Sequence, residues 1–184
     1  DVGNLSLGGE RGVPDRIDTA YRTVVETGSD PAALAGRGVF AMIDELAALG
    51  LAAAPHPPDF PDVPIGHDLW QASRRVRSGT SLGAVALSHG GWDHHDGLGT
   101  VDAGRMTTQL EELCGSVAAF WAAVEDHDSP LTMVITTEFG RRVGENSNGG
   151  TDHGHGSVMT VIGDGIAGGI HGQWPGLSPA ALDQ

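Results

Sequence analysis

Imidazoles and carboxylates gather in three stretches of this 184-residue sequence, of which the first and third are Gly-rich. His89, His94 and His95 crowd the first, together with Asp93 and Asp96. Glu138 stands in the second, Thr137-Glu-Phe-Gly-Arg-Arg142. Asp152, His153 and His155 stand in the third, Gly149-Gly-Thr-Asp-His-Gly-His-Gly156. Seven of the nine histidines fall between residues 89 and 171, so the histidines are clustered, not scattered. Neutral imidazole with carboxylate suits Zn²⁺, Mn²⁺ or Fe²⁺, and carboxylate-rich sets also accept Mg²⁺ or Ca²⁺. The chemistry this pattern points to is a divalent-cation site. The bland alternative is a set of solvated loop residues. Two separate His/Asp clusters, each among glycines, weigh against it. Arg141 or Arg142, next to Glu138, suits an oxyanion such as phosphate or sulfate. An ordinary surface role fits either one equally well.

Composition removes several other chemistries. Ten Arg and no Lys stand against twenty-four Asp and Glu, for a net charge of −14. Such a chain has no electrostatic reason to seek nucleic-acid phosphates. Without Lys there is neither a Schiff-base lysine nor a Walker-A lysine. The single cysteine, Cys114, excludes an internal disulfide framework and a Cys-rich zinc site. It falls beside an apolar helix face and reads as a buried small hydrophobe. No apolar run approaches the roughly 18 residues of a membrane span. Gly163-Asp-Gly-Ile-Ala-Gly168 matches a dinucleotide pattern, but the following Gly169-Ile-His-Gly-Gln-Trp-Pro175 cannot start the helix that pattern needs. Ser88, His89 and Asp93 could be drawn as a triad, yet there is no G-x-S-x-G elbow and the residues are too close in sequence. Asn4-Leu5-Ser6 is a formal glycosylation sequon. Arg74, Arg75 and Arg77 read as a solvated helix face. Trp92 and Trp174 flank the His-bearing stretches as pocket walls or core residues.

The elements that must carry these stretches are legible in outline. Residues 1–12 read as Gly-rich loop. Asp15 to Thr27 suits a helix with Ile17, Tyr21, Val24 and Val25 on one face. Ser29-Asp30-Pro31 signals the start of the next helical stretch, with Gly36 and Gly38 interrupting it and Gly50 ending it. Five prolines in residues 55–64 make an extended connector, with His56 and His67 as surface histidines. His67 to Val76 suits a helix. Leu82–Leu87, Leu131–Thr136 and Ser157–Ile162 are short apolar runs that read as buried strands. Arg105 to Asp126 suits a long helix with Met106, Leu110, Leu113, Val117, Phe120 and Val124 on one face. Strand, long helix, strand is a βαβ unit, which implies parallel pairing. The reading is one α/β domain. A mostly helical covering segment spans 1–79, an α/β core with the His-bearing loops spans 80–176, and a cut tail spans 177–184. In such a sheet the loops after the first two strands converge at one rim, and the 149–156 loop folds back to join them.

Gly91-Trp-Asp-His-His95, Thr137-Glu-Phe-Gly-Arg141, Gly149-Gly-Thr-Asp-His-Gly154 and Gly168-Gly-Ile-His-Gly-Gln-Trp-Pro175 occur in that order. Over roughly residues 80–176 the series resembles a bacterial family, the domain of unknown function numbered 1501, placed with the alkaline-phosphatase and sulfatase-like superfamily. The resemblance implies a three-layer sandwich with a mostly parallel central sheet, incomplete in this chain. It implies one or two metal ions at the strand ends. Asp93 and His95, or His94, match the Asp and His ligands of one ion, and His153 matches the late His that completes it. Glu138 takes the place of an Asp-His pair for a second ion. Phe139 cannot ligate, so that ion would have fewer protein ligands. Asp152 and His155 are orienting groups or alternative ligands, and Arg141 is the oxyanion contact. The nucleophile of the superfamily is not identifiable in this sequence. Members of the family often carry export signals, which implies a place outside the cytoplasm. Both ends of the sequence read as cuts through a longer protein, so the rest of that chain or further copies are expected partners.

Two functional readings follow. One is a metal-dependent hydrolase of small-molecule or glycan esters of phosphate or sulfate. The other is a non-catalytic binding or scaffold protein that keeps a metal.

Overall fold

The computed structural model describes residues 15–48, 50, 55–79, 82–174, 176–178, 180 and 181. The loop expected over 1–12, with its sequon, and the closing Leu182-Asp183-Gln184 lie outside the described residues. The chain divides into two compact units, Asp1–Pro57 and Pro58–Gln184.

In the first unit, α1 (Asp15–Thr27) packs on α2 (Pro31–Ala48). The start of α2 is set by its cap. Asp30 Oδ1 accepts the N–H groups of Ala32 at 2.9 Å and Ala33 at 3.0 Å, donors that a helix N-terminus otherwise leaves unpaired. The end of α1 is closed by Arg37, whose Nη1 donates to the carbonyls of Val25, Glu26 and Gly28 at 2.9–3.1 Å. The interruption expected at Gly36 and Gly38 does not occur, and α2 runs through both. A Cβ at Gly36 would stand 2.8 Å from Val25 Cγ2, so this glycine lets the two helices approach.

The second unit carries the His-bearing segments. Its core lies between α3 (Pro64–Arg77) and α4 (Arg105–Ala123). Ile65, Leu69, Trp70, Ala72 and Val76 of α3 are buried, as are Phe60, Val117, Phe120 and Val124. The 3–4 spacing of these positions is what a helix needs to bury one stripe. Pro64 occupies the first turn of α3, so the helix begins ahead of the expected His67; proline loses nothing there, where its missing N–H has no intrahelical partner. Gly66 is obligatory in this packing, since a Cβ would fall 2.1 Å from the Pro61 carbonyl oxygen. Only the C-terminal half of the α4 stripe is buried. Leu110 is exposed, and so is Cys114, which corrects its reading as a buried hydrophobe. Among the described residues no helix is long and apolar enough to cross a membrane.

The strands overturn the expected three-layer sandwich with a mostly parallel central sheet. β1 (Thr132–Ile135) pairs antiparallel with β4 (Thr160–Gly163), Val134 opposite Val161. β2 (Gly140–Glu145) pairs antiparallel with β3 (Thr151–Gly154), Arg141 opposite His153. Among the described residues these are two separate two-stranded ladders, and neither is parallel. The chain remains α/β only in the coarse sense that helices and strands share it. The reason lies in Leu82–Leu87. A short apolar run satisfies the pattern of a buried strand but says nothing about a partner. Here the run joins no ladder, and Leu82, Val85 and Leu87 are exposed. Without that strand there is no βαβ unit, and β1 pairs with β4 instead. No helix follows Gly163–Gly168, as the dinucleotide pattern would require.

Candidate metal centre

The platform of the site is the β2–β3 hairpin with a third strip of chain laid along it. Residues 94–98 run beside 148–151. Gly97 N–H donates to the Asn148 carbonyl at 3.1 Å, Leu98 N–H to Gly149 at 2.7 Å, and Thr151 N–H to His94 at 3.0 Å. Asp96 and Gly149 form an antiparallel bridge. Two glycines permit this. Gly149 adopts φ +70°, a conformation that side chains disfavour. A Cβ on Gly150 would fall 2.3 Å from the His95 carbonyl carbon. Both the first and the third stretches are therefore held by backbone hydrogen bonds. They meet through a hairpin, not at the rim of a parallel sheet.

On this platform Asp93, His95 and His153 come together. Their donor atoms all lie within 4.8 Å of one another. Asp93 Oδ1 is 3.0 Å from His95 Nε2 and 2.9 Å from His153 Nε2. The two imidazole rings lie 4.9 Å apart. One ion with bonds of about 2.0–2.2 Å can bridge donors so spaced. The side chains are about half exposed, at 53% for Asp93, 47% for His95 and 49% for His153, so solvent or a ligand can reach the remaining coordination positions. Two His and one carboxylate with open positions is a donor set typical of catalytic metal sites.

Each donor has an orienting partner. His95 Nδ1 lies 3.1 Å from Asp152 Oδ1, which leaves Nε2 turned to Asp93 and His153. A carboxylate on the far nitrogen of a ligating His fixes its tautomer and ring orientation. The His153 ring stacks on Phe139 with centroids 3.9 Å apart and planes at 15°. Asp93 is held by Arg141 through Nη2. The same guanidinium donates to the Trp92 carbonyl at 3.0 Å and to the Thr151 carbonyl. The His153 and Arg141 contacts hold the Asp93 carboxyl below the ordinary aspartate range. Asn146 and His95 do the same for Asp152. Both carboxylates are thus kept ionised, as ligation and imidazole orientation require.

The other sequence-selected residues are placed differently. The structure brings His95, not His94, to Asp93. His94 is fully buried, and burial, with Arg105 and Arg141 adding to it, pushes its pKa down. Gln109 acts on it from nearby, but neither His94 ring nitrogen nor Gln109 Oε1 has a hydrogen-bond partner among the described residues. Glu138 is exposed on the loop after β1 and is not in the three-donor group. His155 is exposed just after β3 and also lies outside that group. Arg141 is mostly buried against Asp93 and the Trp92 and Thr151 carbonyls. Trp92 sets its ring edge-on to His89 at 5.3 Å, while Trp174 is 74% exposed. Sequence reasoning passed over Asn146 and the stacking of Phe139. The first had no signal beyond its position three residues before the Gly149-Gly150 pair. The second was noticed only as a residue unable to ligate.

A family model described as "Protein of unknown function (DUF1501)" matches residues 45–184. No curated protein and no solved structure gives a match.

Proposed function

The chain belongs to the DUF1501 family of proteins of unknown function, and on that premise we propose that it is a metal-dependent hydrolase of phosphate or sulfate esters, of the alkaline-phosphatase and sulfatase-like kind. The observation that carries this reading is the convergence of Asp93, His95 and His153 to within 4.8 Å on a partly exposed surface. A divalent ion there would polarise an ester oxygen and lower the pKa of a bound water or hydroxyl. Asp93, His95 and His153 hold it, and Asp152 keeps the His95 ring turned toward it. Arg141 stands against Asp93, with its charge available to an ester oxyanion once the carboxylate is engaged elsewhere. Glu138 and His155 stand outside the three-donor group and, in this reading, would serve a second ion or a leaving group. In this reading the substrate is a small-molecule or glycan ester and the work is done outside the cytoplasm, a location supported only by the export signals that members of the resembled family often carry.

One observation favours a second reading. Phe139 occupies the motif position of a second ion's ligand and stacks on His153, which suits a single ion held for binding or scaffolding without turnover. Metal analysis and Co²⁺ titration of the protein, followed by aryl phosphate and aryl sulfate assays, separate the two. The expected result is one bound ion, ester turnover, and loss of both in Asp93→Ala and His153→Ala. No bound ion would sink both readings, and an ion without turnover would favour the second.

A further inference from the structure

We infer that Asn146 is the positioning residue of this centre, holding His95 in place both through its backbone and through the Asp152 carboxylate. The inference rests on the metal reading above, and it comes from one side chain's hydrogen bonds. An Asn amide has two N–H donors and an oxygen with two lone pairs. All four are used here. Oδ1 accepts the N–H of Asn148 at 2.9 Å and of Gly150 at 3.1 Å. Nδ2 donates to the His95 carbonyl at 2.9 Å and to Asp152 Oδ1 at 3.2 Å. The amide cannot be flipped, because its NH₂ would then face two backbone N–H groups.

The two halves of the amide do different things. Oδ1 builds the turn between β2 and β3. Nδ2 reaches out of the turn to the segment that carries the proposed ligands. Its Asp152 contact falls on the same carboxylate oxygen that faces His95 Nδ1 at 3.1 Å. Its other contact pins the carbonyl of His95 itself. Asn146 thereby fixes where the His95 backbone lies and where its ring partner points. Nε2 is left directed at Asp93 and His153.

Asn146→Asp separates these halves, since an isosteric carboxylate still accepts the two turn N–H groups. It presents an oxygen, however, to the Asp152 carboxylate and the His95 carbonyl. In the full chain the Co²⁺ dissociation constant is expected to rise about 10- to 100-fold, the usual effect of losing a ligand's orienting partner. In a His95→Ala background the same substitution should change Co²⁺ binding less than twofold. A second readout needs no ion: the downfield Nδ1–H proton resonance of His95 is expected in the wild-type protein and absent in Asn146→Asp. Persistence of that resonance with unchanged Co²⁺ affinity would overturn the inference. So would an equal loss of affinity in the His95→Ala background, which would mean that Asn146 acts elsewhere. Failure of the wild-type chain to bind Co²⁺ would refute the metal reading, and the Nδ1–H resonance would then still decide whether Asn146 holds His95. Should Asn146→Asp fail to fold, Asp152→Asn tests the link from its other end, with the same loss expected and an unchanged affinity counting against it.

Discussion

Gly150→Ala is the substitution that reads the assembly of the site most directly. The added methyl would stand 2.3 Å from the His95 carbonyl carbon and 2.5 Å from both the His95 oxygen and the Asp96 nitrogen. All three are backbone atoms, so no rotamer change relieves the clash. Ordinary contact begins near 3.4 Å, and the two segments must part by about 1 Å to reach it. The hydrogen bonds on either side have no such slack. Thr151 to His94 is 3.0 Å and Gly97 to Asn148 is 3.1 Å, and an added 1 Å takes each past about 3.5 Å, where a hydrogen bond no longer counts. Overpacking of this kind costs about 1–3 kcal/mol. The candidate metal site should suffer along with the fold, because His95 sits on the displaced strip and His153 on the strand it leaves. Co²⁺ affinity is expected to fall at least about tenfold, equivalent to about 1.4 kcal/mol. Urea denaturation and Co²⁺ titration of the same preparation give both numbers. Wild-type affinity in Gly150→Ala would refute the view that this strip-to-hairpin contact brings the donors together.

His94 should make stability depend on pH. Burial lowers its pKa in the folded state, so below the ordinary His value of about 6.5 the unfolded chain takes up a proton that the folded chain does not. Stability from this group is therefore complete above that pH and declines as pH falls below it. Urea denaturation of His94→Leu at pH 7.5 and pH 5.5 should show a smaller loss on acidification than wild type, and an equal loss would refute the assignment. Phe120→Ala removes a buried ring from the α3–α4 core, where Trp121 meets it edge-on at 5.7 Å. The expected cost is about 3–5 kcal/mol, a large share of the roughly 5–15 kcal/mol that holds a domain folded. A change in unfolding free energy below about 1 kcal/mol would show that this core does not hold the second unit together.

What the sequence could show follows from the range over which each signal acts. Helix starts and faces are local. Asp30 before Pro31, and the 3–4 spacing of Val117, Phe120 and Val124, carry their own evidence, and α1 to α4 lie close to where those patterns put them. Residue type is local too, so Asp93, His95 and His153 stand among the candidate ligands in the sequence, but with His94, Glu138, Asp152 and His155 beside them. Strand pairing is not local. Nothing inside Leu82–Leu87 tells whether a neighbour offers its carbonyls, and the parallel sheet failed on that one missing partner. The same limit explains Arg141 and Asn146. A guanidinium in a motif next to Glu138 carries no local sign that it will contact Asp93, forty-eight residues away in sequence. An Asn before two glycines looks like turn chemistry, and half of its amide does build the turn. The other half crosses to His95 and Asp152, two groups whose positions relative to Asn146 depend on the hairpin and on the strip beside it. The donors of this centre are thus a property of composition, whereas their orientation depends on backbone contacts that small residues allow. Substitutions at Gly150 and Asn146 should accordingly weaken metal binding although neither residue is a proposed ligand.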